Sequence, residues 1–282
     1  MSFSISSADL KKSSFLAVWI QGTADKRRTL RARKKDEQLI VIVVGVHRSG
    51  TSAVAGILHL NGIAMGSEKT FKPKPMPQNP RGFYENYDFR KLNDRILKLA
   101  GYRVKSFDTL IPQAHTNDRM MAKMGNLIDK QLSGNNHWGW KDPRTCLTLS
   151  EWLTVMKEKS LLNDTKVVFT TRGASAVAQS LRNRNGLHFD NGLILWRLYT
   201  ERALEAVDKY STQTFHFSFE DLLKRPQFVC EKLFQFLGTE YDPSIVEKFI
   251  DPSLNRSKPA VDIELSGEVA ALTDKLRRLS SV

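Results

Sequence analysis

The feature that most constrains the fold is a run of six apolar residues that leads directly into a glycine-containing loop. Residues 39–44 read Leu-Ile-Val-Ile-Val-Val, a run typical of a strand that is buried on both faces of a parallel sheet. Residues 45–52, Gly-Val-His-Arg-Ser-Gly-Thr-Ser, follow it and lead into an apolar helix that ends near Leu60. Because a helix N-terminus presents free backbone N–H groups and a positive dipole end, this order predicts an anion-binding cradle.

Further apolar runs predict that this strand belongs to a larger sheet. Residues 166–171 and 214–219 are predicted strands, and residues 137–140 form a weaker strand candidate. Helical patterns cover residues 52–60, 90–100, 118–132, 150–159, 174–182, 193–210 and 226–237. This alternation predicts an α/β fold, namely a three-layer, P-loop-like domain with a central parallel sheet flanked by helices. We expect that domain to cover residues 38–282, after a basic N-terminal appendage at residues 1–37.

Charge and composition restrict the classes of function. The 282 residues include 43 Lys and Arg against 30 Asp and Glu, and the net charge of +13 favours an anionic partner, such as a polyanion or a phosphorylated cofactor. Residues 1–37 contain nine of these basic residues against four acidic ones. Two cysteines exclude a disulfide-stapled scaffold, and no apolar run approaches the ~20 residues of a membrane span. Since no secretory signal is recognisable, we expect a cytoplasmic protein.

The loop at residues 45–52 has the spacing of a nucleotide-hydrolase phosphate loop but lacks its lysine. The pattern GxxxxGK[ST] requires lysine where Thr51 stands, which argues against a magnesium-dependent ATPase, GTPase or ordinary kinase. A kinase with a degenerate loop stays open as an alternative, as does a tight turn that binds nothing. For His47, a side chain that faces solvent is the favoured interpretation. The candidate anion-binding residues of the loop are His47, Arg48, Ser49, Gly50, Thr51 and Ser52.

The Arg-Ser-Gly-Thr sequence at residues 48–51 resembles the 5′-phosphosulfate loop of the sulfotransferases. These enzymes use 3′-phosphoadenosine 5′-phosphosulfate (PAPS) as donor, and the similarity is greatest to their tyrosylprotein, carbohydrate and bacterial branches. In that family an arginine at the end of the third strand and a serine eight residues later bind the 3′-phosphate, and Arg172 and Ser180 have this spacing. Residues 79–85, 140–144 and 217–223 resemble further family segments in the same order.

The resemblance implies roles for individual residues. Glu85, beside two bulky aromatic residues, is the expected catalytic base. Lys141, at the end of a strand, is expected to stabilise the leaving group together with Arg48. Asp142 is a rival base, although its position suits an ion-paired orienting residue better. Arg256 is a late basic residue that could close over the 3′-phosphate.

The resemblance also implies which molecules the protein binds. PAPS is the expected donor, 3′,5′-ADP the product, and no metal ion is required. The acceptor is expected to be a hydroxyl of a glycan, glycolipid or other natural product, while a peptide tyrosine or a small alcohol stays open. The non-enzymatic alternative is a polyanion-binding module that uses residues 26–35. No aromatic motif for reading RNA occurs, so no nucleic-acid partner is expected. The sequence does not indicate an oligomeric state.

Overall fold

A four-stranded sheet forms the centre of the structure, a computed structural model that describes residues 38–76, 79, 81–250, 265 and 267–282. Its strands are β1 (Leu39–Val44), β2 (His137–Lys141), β3 (Thr165–Thr171) and β4 (Gln213–Ser218). They lie in the order β2-β1-β3-β4, and each neighbouring pair is parallel. The predicted central parallel sheet is therefore confirmed, including the weak strand candidate at residues 137–140.

Helices follow and separate the strands, as the alternating pattern predicts. They are α1 (Thr51–Leu60), α2 (Tyr87–Leu99), α3 (Asp118–Leu132), α4 (Thr145–Glu158), α5 (Ala174–Asn185), α6 (Phe189–Lys209), α7 (Phe219–Lys224), α8 (Pro226–Leu237), α9 (Pro243–Phe249) and α10 (Gly267–Leu279). A 3-10 turn covers Val104–Ser106. In the part of the chain that the structure describes, no helix has the length and apolar character that crossing a bilayer would need.

The alternation of side chains along β1 divides the core into two halves. Ile40, Ile42 and Val44 lie in a cluster with buried residues of α2 to α6. Val41 and Val43 lie in a second cluster, with buried residues of α1 and α7 to α9. Because successive side chains of a strand point to opposite faces, helices cover both faces of the sheet. This arrangement gives the predicted three layers.

Strand register brings the strand ends to one edge of the sheet. Val43 pairs with Lys141, and Val44 pairs with Phe169 near the end of β3. The residues that follow β1, β2 and β3 therefore meet at the carboxyl edge. In open α/β sheets this edge is where ligands bind.

Some predicted boundaries were wrong. The strand predicted to reach Phe219 ends at Ser218, whose hydroxyl accepts a hydrogen bond from the backbone N–H of Asp221 and so caps α7. Helices α7, α9 and α10 were not predicted, and the first two are shorter than the window that reveals helical periodicity. Residues 39–282 form one compact unit. The predicted appendage at residues 1–37 and Arg256 lie outside the described residues, so the domain division stays a prediction.

Candidate active site

The loop between β1 and α1 is shaped by two glycines. Gly45 has a φ of 156°, and an added methyl group would collide with the carbonyl oxygen of Thr170 on β3. Gly50 has a φ of 79°, and a methyl group there would collide with the ring of Phe219. Arg48 has a φ of 71°, which a non-glycine residue rarely adopts. The loop is thus wound tightly between β3 and α7.

The loop also has the features that an anion requires. Helix α1 has no acidic residue in its first turn and no side chain that caps it. Neither a carboxylate nor a capping group therefore offsets the partial positive charge at its N-terminus. Ser49 is fully buried, and its hydroxyl has no hydrogen-bond partner among the described residues. A phosphate or phosphosulfate group fits this arrangement, since it would supply both the negative charge and the missing acceptor.

Arg48 of the loop contacts helix α5, and Arg172, which follows β3, contacts Arg48. Arg48 Nε donates a hydrogen bond to Ser180 Oγ at 3.0 Å, and the Arg172 guanidinium donates to the carbonyl oxygen of Arg48 at 3.0 Å. Burial lowers the pKa of both arginines, and for Arg48 the nearby charges of Arg184 and Arg172 lower it further. The structure therefore brings together the residues predicted for the two ends of an adenosine bisphosphate.

On the other side of the loop, Lys141 connects the predicted base to the anion cradle. Its ammonium group lies 2.9 Å from Glu85 Oε1 and 3.2 Å from Ser52 Oγ. Lys141 is 1% exposed and Glu85 is 7% exposed, so this ion pair is almost shielded from water. Arg90 lies 4.0 Å from the other oxygen of Glu85. Glu85, Lys141 and Ser52 thus form one contiguous cluster.

Asp142 is fully buried directly behind Lys141 and is ion-paired with Arg144. Its carboxylate accepts hydrogen bonds from the Arg144 guanidinium at 2.8 Å, the Arg144 backbone at 3.2 Å and Asn93 Nδ2 at 2.9 Å. Burial alone would raise the pKa of Asp142, but the charge of Arg144 and these hydrogen bonds outweigh it and lower the pKa. Asp142 is therefore held in its ionised form by Arg144, and its lowered pKa makes it a weaker base than an ordinary carboxylate.

His47 is half-buried with its ring packed against aromatic side chains, and so does not extend freely into solvent as the favoured orientation has it. Its ring centroid lies 5.6 Å from that of Tyr199 and 6.1 Å from that of Phe107, and Nε2 is shielded from water. Burial, with a smaller contribution from the charge of Arg144, lowers the pKa of His47 to about 3. The imidazole is therefore neutral at physiological pH.

Sequence reasoning missed several residues of the site. Arg144 lies inside a segment that carries the family resemblance and Asn93 lies downstream of another, but their contacts with Asp142 and Asp94 span about 50 residues and spacing does not reveal them. Cys146 accepts a hydrogen bond from the backbone N–H of Gly45 at 3.2 Å, at the start of the loop. Arg184, on the exposed side of α5, gave no sequence signal beyond its charge. Among the described residues, no group of three or more His, Cys, Asp or Glu side chains could hold a metal ion.

A tight anion loop at the carboxyl edge of a parallel sheet, flanked by two cationic clusters, defines a P-loop-like nucleotide-dependent enzyme. The model of the sulfotransferase family matches residues 41–243. The chain belongs to the sulfotransferase family and is a PAPS-dependent enzyme, as predicted. The alternatives of a degenerate kinase and of a polyanion-binding module are not supported.

Solved structures are similar in fold. The sulfotransferase domain of the olefin synthase from Synechococcus PCC 7002 is 16% identical with a TM-score of 0.53, and the match covers 86% of this chain and 96% of that one. The sulfotransferase domain from the curacin biosynthetic pathway is 15% identical with a TM-score of 0.50, and the match covers 85% and 98% respectively. At this identity the similarity establishes the fold. Among curated proteins, no sequence matches this chain significantly.

Proposed function

We propose that this enzyme transfers the sulfuryl group of PAPS to a hydroxyl group of a glycan, a glycolipid or another natural product. The observation that carries the proposal is the position of Lys141. Its ammonium group contacts both Glu85 and a hydroxyl of the anion loop, within 2.9 and 3.2 Å. A proton acceptor and a phosphate cradle are thereby within reach of one buried cation.

Sulfuryl transfer makes two demands that these residues can meet. When bound, PAPS supplies an SO3 group on its 5′-phosphate. Glu85 accepts the proton of the acceptor hydroxyl, and Lys141 stabilises the negative charge that develops on the bridging oxygen. Loop residues 45–52 hold the 5′-phosphosulfate through backbone N–H groups and hydroxyls, and Arg172 and Ser180 hold the 3′-phosphate. Sequence assigns Arg48 to the leaving group as well.

Two considerations support the acceptor class. The net charge of +13 suits an acceptor that carries acidic groups, as many glycans do. The family resemblance of the loop at residues 48–51 to the carbohydrate and bacterial branches also favours an organic hydroxyl compound. A cytoplasmic location stays part of the proposal.

Donor binding tests the proposal without knowledge of the acceptor. We expect 3′,5′-ADP to raise the thermal unfolding temperature of the full chain more than ATP or ADP at equal concentration, with or without magnesium. Arg172→Ala should weaken this effect, because it removes a cation from the proposed 3′-phosphate site. A screen of hydroxyl compounds with sulfur-labelled PAPS then identifies the acceptor. A larger, magnesium-dependent shift with ATP would overturn the proposal.

A further inference from the structure

The side-chain amide of Asn93 uses all four of its hydrogen-bonding positions inside the core. Asn93 is fully buried. Its Nδ2 donates to Asp142 Oδ2 at 2.9 Å and to Thr145 Oγ1 at 3.0 Å. Its Oδ1 accepts from Thr148 Oγ1 at 2.8 Å and from Trp152 Nε1 at 2.7 Å. Because an amide has two N–H donors and two acceptor lone pairs, these contacts leave the side chain a single orientation.

These hydrogen bonds join the two segments that carry the proposed base and its cation. Helix α2, to which Asn93 belongs, begins at Tyr87, two residues after Glu85. The four partners of Asn93 all follow Lys141 in the chain, Asp142 directly and the other three on α4. The 2.9 Å contact between Glu85 and Lys141 therefore depends on how α2 lies against the start of α4.

Apolar packing alone does not fix the position of α2. Phe89 of α2 stacks on Trp140 of β2, with ring centroids 4.4 Å apart and an angle of 8° between the rings. Apolar burial is non-directional, so it does not set the position of a helix along its own axis, whereas hydrogen bonds constrain both distance and angle. Buried polar networks in which every group is satisfied make a core rigid. The hydrogen bonds of Asn93 therefore form a directional link that is shielded from water.

We propose that Asn93 is a positioning residue, which holds the segment of Glu85 in the register that brings this carboxylate to Lys141. The inference rests on the proposed function, in which Glu85 accepts the proton of the acceptor hydroxyl and Lys141 stabilises the leaving group. Catalytic groups must be held within about 0.5 Å of their productive geometry, and a displacement of about 1 Å can lower the rate roughly a hundredfold. Because buried Asn93 touches neither donor nor acceptor, its replacement should lower kcat and leave donor binding nearly unchanged.

Asn93→Asp breaks this link with almost no change in volume. The carboxylate keeps the acceptor positions for Thr148 and Trp152 but loses both N–H donors, and it faces Asp142. We expect kcat to fall roughly ten- to a hundredfold at about pH 8, while the Kd of 3′,5′-ADP changes less than about twofold. Turnover of the full chain is measured with saturating sulfur-labelled PAPS, both with the hydroxyl compound that the acceptor screen selects and with water alone. Calorimetry measures the Kd.

The pH dependence of kcat separates positioning from a general loss of stability. The charged groups near position 93 are Asp142, the Arg144 that is paired with it, and Asp94 on the same helix. Two carboxylates at one site raise the pKa of one of them, so a fall in pH protonates the pair and restores a donor towards Asp142. The ratio of kcat in Asn93→Asp to wild-type kcat should therefore rise as the pH falls from about 8 to about 5.5. In Asn93→Leu, which regains no donor, this ratio should stay low and constant.

Thr165→Val is the matched control for a loss of buried hydrogen bonding. Thr165 is fully buried and its hydroxyl donates to the Leu161 carbonyl at 2.8 Å, but it lies at the start of β3, at the edge of the sheet opposite to the site. Its kcat and Kd should stay at the wild-type level. Circular dichroism checks the fold of each variant. Should both Asn93 variants fail to fold, Thr145→Val decides, since it removes one of the two acceptors of Asn93 Nδ2 at similar volume and should also lower kcat.

The outcomes are distinct. Wild-type kcat in a folded Asn93 or Thr145 variant would overturn the inference while leaving the proposed function intact. The inference also fails if kcat falls equally in Thr165→Val, if the two Asn93 variants show the same pH dependence, or if the Kd of 3′,5′-ADP rises as kcat falls. A wild-type chain that transfers the label neither to a hydroxyl compound nor to water would instead overturn the proposed function, and this inference with it.

Discussion

Replacing Asp142 with asparagine should destabilise the fold, because it breaks a buried ion pair behind Lys141. Asp142 is fully buried, and the Arg144 side chain that pairs with it is only 9% exposed. Removing one partner of a buried ion pair costs about 3–5 kcal/mol. Arg144 retains a second carboxylate, Asp94, at 2.7 Å, so we expect the lower end, about 3 kcal/mol. In a domain of this size that loss lowers Tm by roughly 6–12 °C.

Asp94→Asn is the control, because it removes a carboxylate from the same arginine at a more exposed position. The Asp94 side chain is 48% exposed, so its loss should change the free energy of unfolding by about 1 kcal/mol or less. Urea denaturation followed by circular dichroism and tryptophan fluorescence measures both variants. Equal stability of Asp142→Asn and wild type, or equal losses in both variants, would refute the ion-pair argument.

The pH dependence gives an independent check. The pKa of Asp142 is lowered in the folded state, below its ordinary value of 3.8. The ionised carboxylate therefore contributes stability that is fully present at neutral pH and is lost as the pH falls below about 4. The difference between wild type and Asp142→Asn should shrink in that range. A difference that stays constant down to the acid-unfolding transition would contradict the assignment.

Three further predictions concern the loop and its neighbours. Lys141→Ala should lower kcat roughly a hundredfold or more and change the Kd of 3′,5′-ADP far less. Steady-state kinetics measures the first quantity and calorimetry the second. Activity equal to that of the wild type would exclude a catalytic role for Lys141. Gly50→Ala should weaken 3′,5′-ADP binding and lower stability, because its methyl group collides with Phe219. Gly186 has a similar positive φ but open space around it, so Gly186→Ala should lower the free energy of unfolding in a denaturation experiment by only about 1 kcal/mol. His47, with a folded pKa of about 3 against an ordinary value of 6.5, should show no NMR titration between pH 5 and 8. Its burial makes stability rise with pH up to about 6.5, and an NMR midpoint near 6.5 would contradict this.

The parts of the fold that could be predicted are those with a strong local signal. The β1 run is apolar at every position because both faces of the strand are covered, and this pattern predicts a buried strand of a parallel sheet. Strand β2 carried a weaker signal, yet Trp138 and Trp140 are fully buried and anchor it in the core. Helices α7 and α9 contain only six and seven residues, so neither completes enough turns to show a period.

The site was predictable where its residues share one loop and unpredictable where they meet across the fold. The spacing of residues 45–52 predicts an anion cradle from the sequence alone. Lys141 and Glu85 are 56 positions apart, and their contact depends on how the segment before α2 returns to the end of β2. The inward orientation of His47 depends on the turn of the loop next to Arg48, whose positive φ no propensity predicts.

The order of the strands explains why two separate cationic groups lie at one sheet edge. Lys141 ends β2 and Arg172 follows β3, and β1 with its loop lies between them. Neighbouring strands are about 4.8 Å apart, and β2 and β3 are two spacings apart, so the backbones that carry these two cations are separated by roughly 10 Å. The loop from β1 extends towards both. Because Ser52 contacts Lys141 while Arg48 contacts Ser180, different positions of the same loop contact the two cationic groups.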